Sequence, residues 1–258
     1  MTELFREIYR YRELIWALAL KELRVRYKRS VLGFLWALLN PALLMIVLTV
    51  VFGTMMRFSM DHYAIFLLSV LLPWTFFSQA LAYSVESVVG NADLLKKVSV
   101  AKLVFPVAAV LSNIINFFLS LIPLVLLMLV LRFPFHWTWI YVPVAIVDLI
   151  LFTLGAAFLF ATANVFYRDV AHIVQILLSA WFYFCPIVYS LDFIPSRYHW
   201  LFRPNPMLYV LNGFRLGIYY GTLPSPQSIG MALICGVLAL VIGFSVFQRY
   251  QQRFIYYV

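Results

Sequence analysis

At 258 residues, 65% hydrophobic and only 11% charged, the chain falls outside the composition of a soluble domain, whose charged share is near a quarter. A formal net charge of +9 invites a nucleic-acid reading, but the basic residues sit at the ends of apolar runs, where lipid headgroups lie and topology is set. No Gly-x-x-x-x-Gly-Lys-Ser/Thr loop occurs, which excludes ATP hydrolysis by the P-loop route in this chain.

Residues 1–32 carry eight basic side chains and precede the first apolar run. Within them Leu4, Ile8, Tyr11, Ile15, Ala19 and Leu23 recur every three or four positions and form one stripe. Arg6, Arg10, Glu13, Arg24 and Lys28 fall largely opposite. The pattern predicts an amphipathic helix over 4–27, lying in the headgroup plane as a topology anchor or as a docking surface for a cytoplasmic partner.

A hydrocarbon core about 30 Å thick takes roughly 20 helical residues to cross. Six apolar runs, near 33–56, 63–88, 103–131, 139–165, 172–190 and 229–247, meet or approach that length. Residues 33–258 therefore read as one six-helix, all-α transmembrane domain, leaving no room for a separate soluble domain. Pro41, Pro73, Pro123 and Pro143 are expected to kink the first four runs, and Pro186 sits late in the fifth. The first run starts too late and runs too long for a cleavable signal peptide.

The second and third runs are joined by a loop, about 90–102, whose polar stretch 91–98 is long enough for two helical turns. The fifth and sixth are joined by about 38 residues, 191–228, holding Pro195, Pro204, Pro206, Pro224 and Pro226 and an amphipathic piece from Met207 to Tyr220. Polar backbone cannot face lipid, so this stretch is expected to form short re-entrant helices capping the outer side. Fourteen of the nineteen Lys and Arg residues fall on the side that holds both termini, which places the termini in the cytoplasm.

Cys185 and Cys235 lie inside runs with no ligand spacing around them and read as packing residues. His62, His136, His172 and His199 fall at run ends, as interfacial rings do; no metal site is expected. Asp148 is the one carboxylate well inside a run, a costly position that normally faces a wet cavity or a partner. Aromatics make up 18% of the chain. Interfacial girdles account for Trp137, Trp139, Tyr141, Trp200, Tyr219 and Tyr220. Trp181, Phe182, Tyr183, Phe184 and Tyr189 in the fifth run sit deeper, where ring faces would suit a passage for sugars.

Several stretches, read in order, carry a family pattern. They are Arg26-Tyr-Lys-Arg-Ser-Val-Leu-Gly-Phe-Leu-Trp36 with Asn40-Pro41 and Val51-Phe-Gly53, then Leu72-Pro-Trp-Thr-Phe-Phe77 with the stretch 91–98 and Phe105-Pro106. Tyr167-Arg-Asp169, Pro186-Ile-Val-Tyr189, Asn205-Pro-Met-Leu-Tyr209 and Phe214-Arg215 follow. Together they resemble the membrane subunit of type-2 ATP-binding-cassette exporters for lipid-linked polysaccharide, the O-antigen and teichoic-acid group. One stretch departs: where that family has an aromatic, a proline, a base and a glutamate, this chain has Ser99-Val-Ala-Lys-Leu103, keeping the base as Lys102 and losing the acid.

The resemblance implies a transport subunit, not an enzyme, working as a homodimer in the inner membrane with two copies of a cytoplasmic P-loop ATPase. ATP and magnesium would bind in that partner, and the cargo would be an undecaprenyl-linked glycan. It assigns Trp36, Trp181, Phe182, Tyr183, Phe184 and Tyr189 to the channel wall, and Asn91, Asp93, Lys96 and Lys97 to ATPase coupling. Arg24, Arg26, Lys28 and Arg29 would attract the lipid diphosphate, and Asn205, Pro206, Tyr209 and Arg215 would form the outer gate. The rivals are an exporter of a drug or lipid, a stand-alone proton-coupled carrier using Asp148, and a non-transporting membrane scaffold.

Overall fold

The computed structural model describes residues 2–26, 35–48, 50–51, 62–97 and 100–258. Ten α-helices and no strand occur among these residues: α1 (Thr2–Arg10), α2 (Arg12–Arg26), α3 (Trp36–Leu48), α4 (Tyr63–Ser87), α5 (Ala92–Lys97), α6 (Val104–Val130), α7 (Val142–Phe166), α8 (Val170–Phe184), α9 (Pro206–Arg215) and α10 (Pro226–Tyr250). Four are long and apolar enough to cross a membrane: α4, α6, α7 with the 3-10 turn before it, and α10 with the turn after it. At a rise of 1.5 Å per residue, the 25 residues of α4 reach about 37 Å. Helix α8, at 15 residues, is shorter, and the described part of α3 has 13.

α4 is the axis of the bundle, buried along most of its length, with α3, α6, α7, α8 and α9 packed around it. Pro73 and Pro123 stand inside α4 and α6 as expected. Pro143 does not kink a helix: it occupies the first turn of α7, where the missing N–H would have had no partner anyway. Pro186 lies beyond α8, because the chain leaves the helix at Cys185 in an extended conformation.

α7 and α10 make the closest helix pair. Small residues let the backbones touch: a Cβ on Gly155 would overlap the Ala239 carbonyl carbon, and one on Gly243 would overlap the Gly155 carbonyl oxygen. Neither neighbour is a side-chain tip that can swing away. Gly155→Ala is therefore expected to cost at least about 2 kcal/mol through forced separation of the helices. Gly230→Ala, on the same α10 but with open space around it, should be neutral or mildly stabilising. Thermal unfolding of both variants in detergent decides this; equal midpoints would remove the close-packing account.

The apolar stripe of the N-terminal helices is buried against the chain's own helices. Leu4, Ile15 and Leu18 pack into one cluster with Leu95, Leu103, Val104, Phe105 and Phe247, at the feet of α6 and α10. The flank of that stripe carries Phe5, Tyr9 and Trp16, all exposed, with Arg12 4.6 Å from the Tyr9 ring centre. The heptad-like spacing identified the face to be buried; it did not say that the chain's own spans would cover it. Glu3 bonds to Gln248 near the end of α10, and the Arg168 guanidinium donates to the Tyr257 carbonyl at 3.3 Å. Both ends of the chain thus meet at one end of the bundle, here termed basal.

At the far end, two 3-10 turns (Leu191–Phe193 and Ser196–Leu201) lead to α9, and a π-turn, Leu216–Tyr220, follows it. Gly221, at φ 64°, closes that turn against the His136 ring, where a side chain would have neither the conformation nor the space.

Candidate functional site

Three of the charged residues on α2 each reach a different anchor. Lys21 Nζ donates to Asn91 Oδ1 at 3.4 Å. Glu22 Oε2 accepts from Ser112 Oγ at 2.9 Å. Arg26 donates through both Nη atoms to Asn113 Oδ1 at 3.2 Å, and its guanidinium lies 4.1 Å from the Tyr83 ring centre. Between α2, α4 and α6 these side chains surround a cleft of about 410 Å³, with Gly90, Asn91 and Phe105 completing its wall.

Burial pushes the Glu22 carboxyl above its ordinary value of 4.5, and the Ser112 hydroxyl and the Arg26 and Lys21 charges only partly offset this. The folded protein therefore holds the Glu22 proton more tightly than the unfolded chain does. Its contribution favours the docked helix below pH 4.5 and is lost as pH rises through the folded value. Glu22→Gln should flatten the pH dependence of the unfolding midpoint between pH 4.5 and neutrality and raise the midpoint at neutral pH. A wild-type and variant difference that does not change with pH would contradict it. Burial likewise pulls Lys102 below the ordinary lysine value.

Above the cleft, about halfway along the spans, lies a second cavity of about 180 Å³ between α3, α4 and α6. Trp36 and Asn40 line it from α3, Thr75, Phe76 and Gln79 from α4, and Asn113, Asn116, Phe117 and Ser120 from α6. Asn113 links the two spaces: its Oδ1 accepts from Arg26, which lines the cleft, while its side chain walls the cavity. Asn40 and Gln79 are exposed at its open edge. Sequence reasoning missed this set apart from Trp36. The signal was present in the spacing, since Asn113, Asn116 and Ser120 follow i, i+3, i+7, and Thr75 and Gln79 follow i, i+4, each on one helix face.

The six channel-wall candidates divide. Trp36 faces the polar cavity. Trp181 turns inward, with ring centres of Phe77 at 5.5 Å and Trp74 at 6.3 Å, and its Nε1 donates to Asn205 Oδ1 at 2.9 Å. Phe182 leans on Trp74 at 5.9 Å. Tyr183 and Phe184 are 74% and 56% exposed. Tyr189 uses its hydroxyl to donate to the Tyr183 carbonyl at 2.7 Å. On α8 only Val174 and Leu178 are fully buried, so His172, Gln175, Ser179 and Tyr183 form an exposed polar and aromatic stripe.

Of the basic cluster, Arg24 is exposed on α2 and Arg26 turns into the cleft; Lys28 and Arg29 lie outside the described residues. In the coupling segment, Asn91 donates from Nδ2 to the Ser87 carbonyl at 2.8 Å and so fixes the start of α5. Leu95 anchors α5 in the basal cluster, while Asp93, Lys96 and Lys97 are exposed.

The four gate candidates form a knot beneath the far-end turns. Asn205 caps α9 by accepting from the Met207 N–H at 3.1 Å, and its Nδ2 donates to the Phe184 carbonyl at 3.1 Å. Pro206 starts α9, and Tyr209 donates to the Arg203 carbonyl at 2.8 Å. Arg215 is buried and donates to the carbonyls of Pro186 at 2.6 Å and Ile187 at 2.8 Å. A further hub that sequence reasoning missed is Asn164, which donates to the Val85 carbonyl at 3.0 Å and accepts from the Ala171 N–H at 3.2 Å, joining α7, α4 and α8.

Asp148 is 3% exposed at the α7–α10 crossing, where its carboxylate presses on Gly236. It lines neither polar space. Among the described residues no group of three or more His, Cys, Asp or Glu side chains could hold a metal ion.

Residues 13–219 match the sequence profile of the family described as ABC-2 type transporter. The chain is 34% identical over 257 residues to the O-antigen export system permease protein RfbA of Myxococcus xanthus, covering 98% of both chains. It is 30% identical over 235 residues to the protein of the same name from Klebsiella pneumoniae, covering 91% of this chain and 90% of that one. It is also 25% identical to the polysialic acid transport protein KpsM of Escherichia coli over 92% of this chain and 93% of that one. A profile match over most of the chain, near full-length likeness to permeases and a bundle of apolar helices agree: this is a multi-pass membrane protein, and it belongs to the ABC-2 type transporter family.

Proposed function

We propose that this chain is the channel-forming subunit of an exporter of lipid-linked polysaccharide, of the O-antigen kind, driven by ATP hydrolysis in a separate subunit. The observation that carries the reading is the placement of polar side chains on the open edge of the bundle. Asn40 and Gln79 on one side and Gln175 and Ser179 on the other are exposed at span depth, where contact with lipid is costly. A second copy facing that edge would give these groups a wet passage and Tyr183 and Phe184 a glycan to stack on. The names of the relatives, which export O-antigen and transport polysialic acid, supply the cargo class.

Two copies of the chain would each bind one cytoplasmic P-loop ATPase, which holds the ATP and magnesium. Both termini and the exposed face of α5 would lie in the cytoplasm, in keeping with the basic bias of that side. The bundle would have six spans in the inner membrane, α3 and α8 counted, with the far-end turns and α9 as the outer gate. Arg24 and the cleft around Arg26 would attract the diphosphate of the lipid carrier. ATP binding moves cargo only if it favours one of two bundle states over the other. The route for that bias is the α5–Asn91–Lys21 contact, which links the ATPase-facing loop to the N-terminal helix.

The test is purification of the tagged chain from its native cells in mild detergent, with co-purifying proteins identified by mass spectrometry. A P-loop ATPase in equal amount and a dimer of this chain are the expected result. A chain that remains alone after crosslinking in intact cells would overturn the reading.

A further inference from the structure

We infer that the cavity between α3, α4 and α6 is a sugar subsite, holding one ring of the passing glycan inside each copy of the chain. The assignment rests on the export reading above and adds to it a place for the cargo away from the passage between copies.

The chemistry of the wall selects the ligand. Asn40, Gln79, Asn113 and Asn116 present carboxamides, and Thr75 and Ser120 present hydroxyls. Each of these groups can both donate and accept, and none is charged. Such a wall matches a neutral ligand that is itself dense in hydroxyls. An acyl chain or an apolar drug would bring no hydrogen-bonding group to the carboxamides of Asn40 and Gln79 at the cavity's mouth. Proton relay would call for titratable groups, and among the described residues no lining residue is one.

Two further observations separate a ligand site from simple helix crosslinking. Thr75 Oγ1 donates to the Leu71 carbonyl at 2.7 Å and Ser120 Oγ to the Phe117 carbonyl at 2.7 Å, each within its own helix. Neither hydroxyl ties one helix to another, and each keeps acceptor capacity for a guest. The cavity also has the apolar faces a pyranose needs, from Trp36, Phe76 and Phe117.

Size and position complete the case. A volume of about 180 Å³ is the share of about six liquid waters and admits one sugar ring but not two. The cavity opens at Asn40 and Gln79 onto the exposed edge of α3 and α4. Its floor is Asn113, whose Oδ1 is already held by Arg26 from the basal cleft. A ring in the cavity thus sits one side chain from the guanidinium, so the subsite suits the sugar beside the lipid diphosphate. Holding that ring would retain the polymer between ATP-driven steps.

The test places a photo-crosslinking amino acid at Gln79, Ser120, Tyr183 and, on the exposed face of α10, Leu238, in the full transporter in cells that make or lack the glycan. Glycan-bearing adducts are expected at Gln79, Ser120 and Tyr183, only in glycan-making cells, and none at Leu238. Adducts at Tyr183 without any at Gln79 or Ser120 would overturn the subsite and leave the export reading standing. No adduct at any of the three would overturn both. In parallel, Gln79→Leu should lower surface polysaccharide about tenfold, the effect of one lost hydrogen bond at the upper end of its range, with the ATPase still co-purifying. Gln79→Asn should restore most of it, and undiminished export by Gln79→Leu would count against the subsite.

Discussion

Arg215→Ala is expected to cost about 4 kcal/mol of stability. The residue is 5% exposed, and its guanidinium fork takes the carbonyls of Pro186 at 2.6 Å, Ile187 at 2.8 Å and Tyr189 at 3.4 Å. Tyr63 takes the carbonyl between them, that of Val188, at 2.8 Å. These carbonyls follow the end of α8, where the chain turns extended and the helix no longer supplies donors. The guanidinium also lies 4.1 Å from the Phe66 ring centre, so the charge is met by a π-face as well as by oxygens. Alanine would leave buried carbonyls unpaired and release the turn that joins α8 to α9. Arg215→Lys keeps the charge but not the fork, and should fall between alanine and wild type. Thermal unfolding in detergent gives the ranking directly. An alanine variant as stable as wild type would show that the turn is held by other contacts.

That turn also explains where the sequence was readable. Runs predicted at 63–88 and 103–131 became α4 at Tyr63–Ser87 and α6 at Val104–Val130, because long apolar stretches have few alternatives in lipid. The fifth run was drawn to 190, yet α8 ends at Phe184. Residues 185–190 are as apolar as a helix, and what holds them otherwise is Arg215, far along the chain. Local pattern carries no trace of a donor 28 residues away. The same limit applies at the basal end. The stripe on α1 and α2 was legible from spacing, but Arg26 meets Asn113 across 87 residues, and only the fold brings them together. Aromatic content pointed to α8 without saying which rings face out; Trp181 went inward because Asn205 accepts its N–H, while Tyr183 stayed exposed. The polar cavity was missed for a different reason. Its carboxamides are spread over three helices, and each alone passes for an isolated polar residue in an apolar run.

Double replacement of Lys96 and Lys97 by Glu is expected to abolish export of surface polysaccharide while leaving the bundle as stable as wild type. The two effects separate because of how α5 is built. Leu95 fixes the helix in the basal cluster, and Asn91 fixes its start through the Ser87 carbonyl. Lys96 and Lys97 are exposed, and among the described residues no hydrogen bond or ring contact of theirs ties α5 to the bundle. Surface substitutions of this kind normally change stability by within about 0.5 kcal/mol. Their charge, placed at the last turn of α5, is instead free to meet the partner proposed to dock there, and reversing two charges would put like against like across an acidic docking surface. A defect confined to partner binding should appear as loss of the ATPase from the purified complex, with an unchanged unfolding midpoint for the chain alone. Leu95→Ala provides the contrast: it should weaken α5 itself and lower both stability and assembly, by about 2–5 kcal/mol in the former. If the double variant kept both its ATPase and its export, the coupling role of α5 would be wrong, and the link between partner and bundle would have to run through the face of α1 and α2 where Phe5, Tyr9 and Trp16 are exposed.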